Sequence, residues 1–258
     1  MKKMMKCYLA LALGFVIAGC SKDSKDSKES SRESSEHSIV DGGHKGVQLW
    51  KNGPYWAETN IGAENPWDYG YYFWWGGTIG YKRVNDAWVA SDGSSSKFSF
   101  VDEDTPTHGK DRATLLAEGW ITTNAVLASK HDAAHVHWGG EWRMPTDKEL
   151  KDLCDKCDWE KTTIHGINGY VVRGRGDYTP ASIFFPCTGG GDGASLIESG
   201  SGGSYWSSVP ESAGFNLVRF LFVDSGHRDV NYSNCGFGRS IRPVQGPAKK
   251  REQQDPPQ

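Results

Sequence analysis

The sequence predicts a loop-heavy domain of the α+β class, and three observations predict it. Helical periodicity is confined to two short windows. Four stretches rich in β-branched and aromatic residues, "GYVVRG" (169–174), "SIFFPC" (182–187), "NLVRFLFV" (216–223) and "RSIRPV" (239–244), are set apart by glycine-rich segments. Eleven Trp, ten Tyr and ten Phe in 258 residues can fill the core of one domain.

Residues 1–19 read as an export leader, in which Lys2, Lys3 and Lys6 precede an apolar run from Cys7 to Ala18 that is too short to span a bilayer. The leader holds three of the 29 Lys+Arg and none of the 32 Asp+Glu, leaving the rest with a net charge of about −6, which argues against nucleic acid as a partner. Residues 20–45 are expected to form a disordered tether. The stretch "SKDSKDSKESSRESSEHS" (21–38) has no apolar side chain to offset the entropy of folding. The folded domain is expected over 46–244, because aromatics become dense after "VQLW", and a polar tail over 245–258.

Within the domain, a first helical window runs from Asp111 to His135, unbroken or in two pieces. A second follows "WRMPT", where Thr146 can cap the helix and Glu149 can return the bond as in a capping box. Leu150, Leu153, Cys154 and Cys157 then fall on one face. The strands follow. The last stretch, "SGHRDVNYSNCGFGRSIRPV" (225–244), ends as a strand, but its middle mixes polar and aromatic residues without a period.

Several motifs invite chemistry. "CDKC" (154–157) suits half of a zinc site or a redox pair, but no second pair answers it, and both thiols lie on the apolar helix face, as core thiols or disulfide partners do. Cys154, Cys157, Cys187 and Cys235 allow three disulfide pairings, and the sequence does not choose. His131 and His135 share a helical face, with His137 beyond, yet no glutamate follows His131 as in the zinc-protease motif. Asp102, Glu103 and Asp104 are read as a solvated loop rather than a calcium site, and the "RGD" at 175–177 as a turn. No G-x-S-x-G elbow or phosphate loop is present. The sequence offers no catalytic residue, metal site or cofactor.

"LWKNGPYWAETNIGAENPWDYGYYFWWGGT", "HWGGEWRMPTDKELKDLCDKCDW", "NGYVV", "SIFFPCTGG", "GSYWSS" and "GRSIRPV", in this order from Gly46 to Val244, resemble the Fibrobacter succinogenes major paralogous domain family. Residues 84–111 match that pattern poorly. The resemblance implies a C-type-lectin-like fold, also similar to formylglycine-generating enzymes, with two helices, small antiparallel sheets and long ordered loops. It also implies that most Trp residues, among them Trp56, Trp74, Trp75, Trp138, Trp142 and Trp206, are core. "IAGC" is similar to the lipobox of bacterial lipoproteins, which makes Cys20 the lipid-bearing residue. The Lys-Asp pairs after it resemble the acidic export signals of some outer-membrane lipoproteins, and serve equally as a plain solubilising linker.

The final segment resembles the variable region of proteins diversified by retroelements, in which a fixed scaffold presents scattered positions for recognition. The resemblance implies a ligand surface of Phe215, Asn216, Arg219, His227, Arg228, Asn231, Tyr232, Ser233, Asn234 and Phe237. An ordinary polar loop remains open as the other reading. The expectation is therefore a binding protein, not an enzyme, held in the outer membrane through Cys20, facing the cell surface and recognising a glycan or protein. Two other classes stay open. One is an envelope enzyme related to the formylglycine-generating group, whose copper-binding cysteine pair is represented here by Cys235 alone. The other is a structural component of a surface assembly.

Overall fold

A computed structural model describes residues 37–94, 98–212 and 214–246. The leader, Cys20, most of the tether and the tail from 247 lie outside the described residues.

The ordered chain begins earlier than Gly46. Strands β1 (Ser38–Asp41) and β2 (His44–Gln48) form a hairpin across Gly42 and Gly43, both at positive φ, the geometry a two-residue primed turn demands. The start is also tied to the far end of the domain: the Trp142 indole donates to the Asp41 carbonyl (3.2 Å) and the Gln245 amide to its carboxylate (2.8 Å). The hairpin edges a five-stranded sheet completed by β3 (Tyr55–Ala57), β17 (Val244–Gln245) and β7 (Trp142–Arg143), in the order β1-β2-β3-β17-β7. Gln245 thus belongs to the last strand rather than to a tail.

The chain is mostly β with three short α-helices among the described residues, a mixed α+β fold. The window from Asp111 to His135 resolves into α1 (Arg112–Ala117) and the start of α2 (Ala133–Trp138). Asp111 and Asp132 cap them by accepting from backbone amides of Thr114, and of Ala134 and His135. Between the two, Gly119 and Ala125 at positive φ turn the chain back, and Ile121 bridges Leu127. Helix α3 (Asp147–Lys156) starts on the expected capping box, with Thr146 and Glu149 exchanging bonds.

A seven-stranded sheet joins strands from both halves of the chain, in the order β15-β14-β13-β16-β4-β5-β6. Its strands are β4 (Tyr72–Phe73), β5 (Tyr81–Val84), β6 (Ala87–Ala90), β13 (Gly203–Pro210), β14 (Leu217–Val223), β15 (Arg228–Asn234) and β16 (Arg239–Ser240). The β13–β16 pairing is parallel and the others antiparallel. Strand β13 is buried along its whole length, because alternate side chains enter different cores. Tyr205 joins Leu221, Val223 and the Leu150–Leu153 face of α3, while Trp206 joins Phe220, Val218, Phe73 and Trp75. A three-stranded sheet of β8 (Asp158–Ile164), β9 (Ile167–Arg173) and β10 (Ser182–Pro186), and a hairpin of β11 (Gly190–Asp192) and β12 (Ser195–Ile197), complete the fold. Three of the four expected strands appear as β9, β10 and β14, whereas "RSIRPV" breaks into β16 and β17 around Ile241–Pro243. Trp56, Trp75, Trp142 and Trp206 are fully buried, and Trp74 and Trp138 are half-buried.

Two histidines couple this packing to pH. His44 stacks on Trp138 (3.7 Å between ring centroids) and His131 on Trp120 (3.8 Å), and burial lowers both pKa values below 6.5. Asp41 opposes that shift at His44, and Lys130 adds to it at His131. A lowered folded pKa means the native state favours the neutral ring. Its contribution is whole above the unfolded pKa and is lost as pH falls through the folded one. The melting temperature is expected to drop as pH is lowered from neutrality to below 6.5, and the double variant His44→Phe, His131→Phe to flatten that drop. An unchanged slope would count against these rings.

Candidate functional site

The stretch read as irregular is a strand. Strand β15 pairs with β14 in unbroken antiparallel register from Arg228↔Val223 to Asn234↔Leu217 and forms the outer edge of the sheet. Its period is two, with Arg228, Val230 and Tyr232 on one face and Asp229, Asn231 and Ser233 on the other.

The register divides the ten expected ligand residues instead of gathering them on one face. On the face toward α3, Arg228 lies over the Trp159 ring (5.4 Å) and Arg219 over Tyr232 (5.5 Å). Arg219 is also ion-paired with Glu211. On the opposite face, Asn231 is paired with Phe220 and Ser233 with Val218. Phe215 and His227 sit at the two ends, in the turns flanking β14. Phe215 is 66% and Tyr232 58% exposed, large for aromatic rings in a folded domain. Phe237 is half-buried against the Trp206 core.

Asn216 and Asn234 serve the scaffold. Asn216 stands at φ 60° and accepts from the Gly109 amide (2.5 Å), while its Nδ2 donates to Asp102 (3.2 Å) and its carbonyl accepts from the Cys235 amide. It fastens the 102–110 loop to the sheet. Asn234 Oδ1 caps the Gly236 amide (2.7 Å). A ligand meeting either side chain displaces an internal bond.

Two residues missed from the sequence belong here. Glu211 holds Arg219. Arg239, read only as part of a strand, crosses the sheet and donates to Ser233 Oγ (2.9 Å). Neither is marked by a motif: Glu211 is set opposite Arg219 by the register of the consecutive strands β13 and β14, and Arg239 is brought to Ser233 only by the order of the sheet.

The other motifs lie elsewhere. Cys154, Cys157, Cys187 and Cys235 are free, buried thiols, and burial pushes Cys154 and Cys157 up to about 12 and Cys235 upward. Enclosed protonated thiols are poor nucleophiles and metal ligands. His137 meets the Thr78 carbonyl, and no group of three or more His, Cys, Asp or Glu among the described residues could hold a metal. Arg175 of the "RGD" is held by Asp158 and the carbonyls of Asp155 and Cys157. A cavity of about 400 Å³ lined by Ser129, Asp132, His135, Glu141, Arg143 and Ser208 shares no residue with the expected surface. Among the described residues no helix is long and apolar enough to cross a membrane.

Compared with known protein families, with curated proteins and with solved structures, the chain finds no match. The site therefore rests on its own geometry.

Proposed function

We propose that this chain is an exported, lipid-anchored binding protein with a C-type-lectin-like domain, held in the outer membrane at Cys20 and recognising a glycan or protein through its C-terminal surface. One observation carries the reading. Strand β15 sets exposed Arg228, Asn231 and Tyr232, with His227 and Phe215 at the flanking turns, on a seven-residue register with β14, which pairs on its other side with the wholly buried β13. Exposed rings and arginines supply contact area and paired hydrogen bonds, Asn and Ser adapt to the ligand, and a rigid support keeps the entropic cost of binding low. The alternation leaves these positions free to change without disturbing β13. That freedom is what a diversified surface requires, and a near-copy of the 204–244 coding segment beside a reverse transcriptase, differing at adenines, is the genomic mark to seek.

The test is a glycan and surface-protein binding screen with the intact protein and a variant carrying Ala at Arg219, His227, Arg228, Asn231, Tyr232 and Asn234, after both show cooperative thermal unfolding. The variant is expected to lose at least about tenfold in affinity, or about 1.4 kcal/mol. Two further alanine variants, one at Arg219, Arg228 and Tyr232 and the other at Asn231 and Ser233, assign the loss to one face. Equal binding by protein and six-residue variant sinks the assignment.

A further inference from the structure

Two arginines of "GRSIRPV" are buried, and their surroundings differ. Every nitrogen of the Arg242 guanidinium has an acceptor: Asn60 Oδ1 and the carbonyls of Ala57, Glu58 and Phe184. Arg239 is 8% exposed, yet among the described residues it makes one hydrogen bond, from Nη2 to Ser233 Oγ, and its Nε has no partner there. Among the described residues it is in no ion pair, and the Glu198 carboxylate acts on it only at longer range. Its charge rests on rings instead: Phe220 (3.6 Å to the centroid), Trp206 (4.9 Å) and Phe237 (5.4 Å). Cation–π contacts offset part of the desolvation of a buried charge but satisfy no N–H. Burial accordingly lowers the Arg239 pKa to about 9.

The guanidinium ends at Ser233, on the β15 face that also carries Asn231 and, farther along, Asp229, whose carboxylate is ion-paired with Lys151 (3.7 Å), and half-buried Phe222 and Phe237 pack against the same core. We infer that Arg239 is the residue by which this face reads an anionic group, a carboxylate or sulfate borne by a saccharide. The inference rests on the reading of the C-terminal surface as a ligand site. An oxyanion supplies the in-plane acceptors the guanidinium lacks, in the fork geometry only arginine offers. Flat rings beside neutral Asn and Ser suit a sugar ring with an acidic substituent better than an extended acidic peptide, which would call for several cations.

The experiment measures binding of oligosaccharides bearing hexuronate or sulfate, neutral oligosaccharides of the same backbone, and acidic peptides. The proteins are the wild type, Arg239→Gln, Arg239→Lys, Glu198→Gln and the six-residue alanine variant. The wild type is expected to retain acidic but not neutral saccharides, with affinity falling as salt rises. Arg239→Gln should lose at least about tenfold, Arg239→Lys should lie between, and Glu198→Gln should bind more tightly. Because Arg239→Gln removes a packed side chain, a second readout uses the wild type alone: free hexuronate should raise its melting temperature where the same concentration of neutral hexose does not. Undiminished binding by folded Arg239→Gln, equal retention of acidic and neutral sugars, retention of acidic peptides alone, or no acidic saccharide retained each overturns the inference. Loss of neutral-glycan binding in the six-residue variant would then leave the surface reading standing without Arg239, and no loss there would remove both.

Discussion

Replacing Arg242 with methionine is expected to remove a large part of the stability of the domain. The side chain is fully buried and bridges three parts of the domain: Ala57 and Glu58 at the end of β3, Asn60 beyond it, and Phe184 in β10. Its plane also lies on Phe185 (4.6 Å). Two effects compete. The wild type bears the cost of burying a cation, seen in a pKa lowered to about 10, and methionine removes it. Against that, three buried acceptors and the part-buried Glu58 carbonyl lose their donor, at about 1–3 kcal/mol for each buried one. The second effect outweighs the first, for a net loss of about 4 kcal/mol, a large part of the about 5–15 kcal/mol that holds a domain together. Arg242→Lys should fall between, since an ammonium cannot span acceptors on three elements. Denaturant unfolding with the slope held constant measures the difference, and a loss below about 1 kcal/mol would show that the acceptors find water instead.

What was legible in the sequence follows from how far each signal reaches. The capping box at Thr146 and Glu149 needs residues three apart, and α3 begins where it was expected. The "DGG" at 41–43 is an equally local hairpin signal, and the strands it joins begin at Ser38, ahead of Gly46, where aromatics become dense. The 111–135 window failed as a single helix because Gly119 turns the chain after α1 and Asp132 starts α2 afresh. In β15 the period was present, Arg-Val-Tyr against Asp-Asn-Ser, but hidden, because an edge strand needs only Val230 in the core while Arg228 lies over Trp159. The surface expected from composition therefore exists, but as two faces, because composition carries no register. Arg239 and Arg242 stand three residues apart in one motif. Only the tertiary structure gives one four acceptors and the other a single hydroxyl.

Removing Arg143 should be nearly as costly, and the form of the loss identifies its cause. Glu149 is fully buried, and Arg143 from β7 meets it with two bonds, Nη1 to Oε2 (2.9 Å) and Nη2 to Oε1 (2.7 Å). Oε2 also accepts from the Thr146 amide (2.9 Å) and hydroxyl (3.0 Å), so one carboxylate closes the helix cap and ties α3 to the five-stranded sheet. Arg143 further donates to the Gly246 carbonyl (3.0 Å). Arg143→Ala strands a buried carboxylate, at about 3–5 kcal/mol. Glu149→Gln in the wild type keeps shape and some hydrogen bonds and should cost about 1–2 kcal/mol. The decisive comparison is the same Glu149→Gln change made on top of Arg143→Ala. There it neutralises the stranded charge and should stabilise, so the sign of one substitution reverses with its partner. If Glu149→Gln destabilises in both backgrounds, the pair acts through packing and the cap alone, and the buried charge is already compensated by the Thr146 donors.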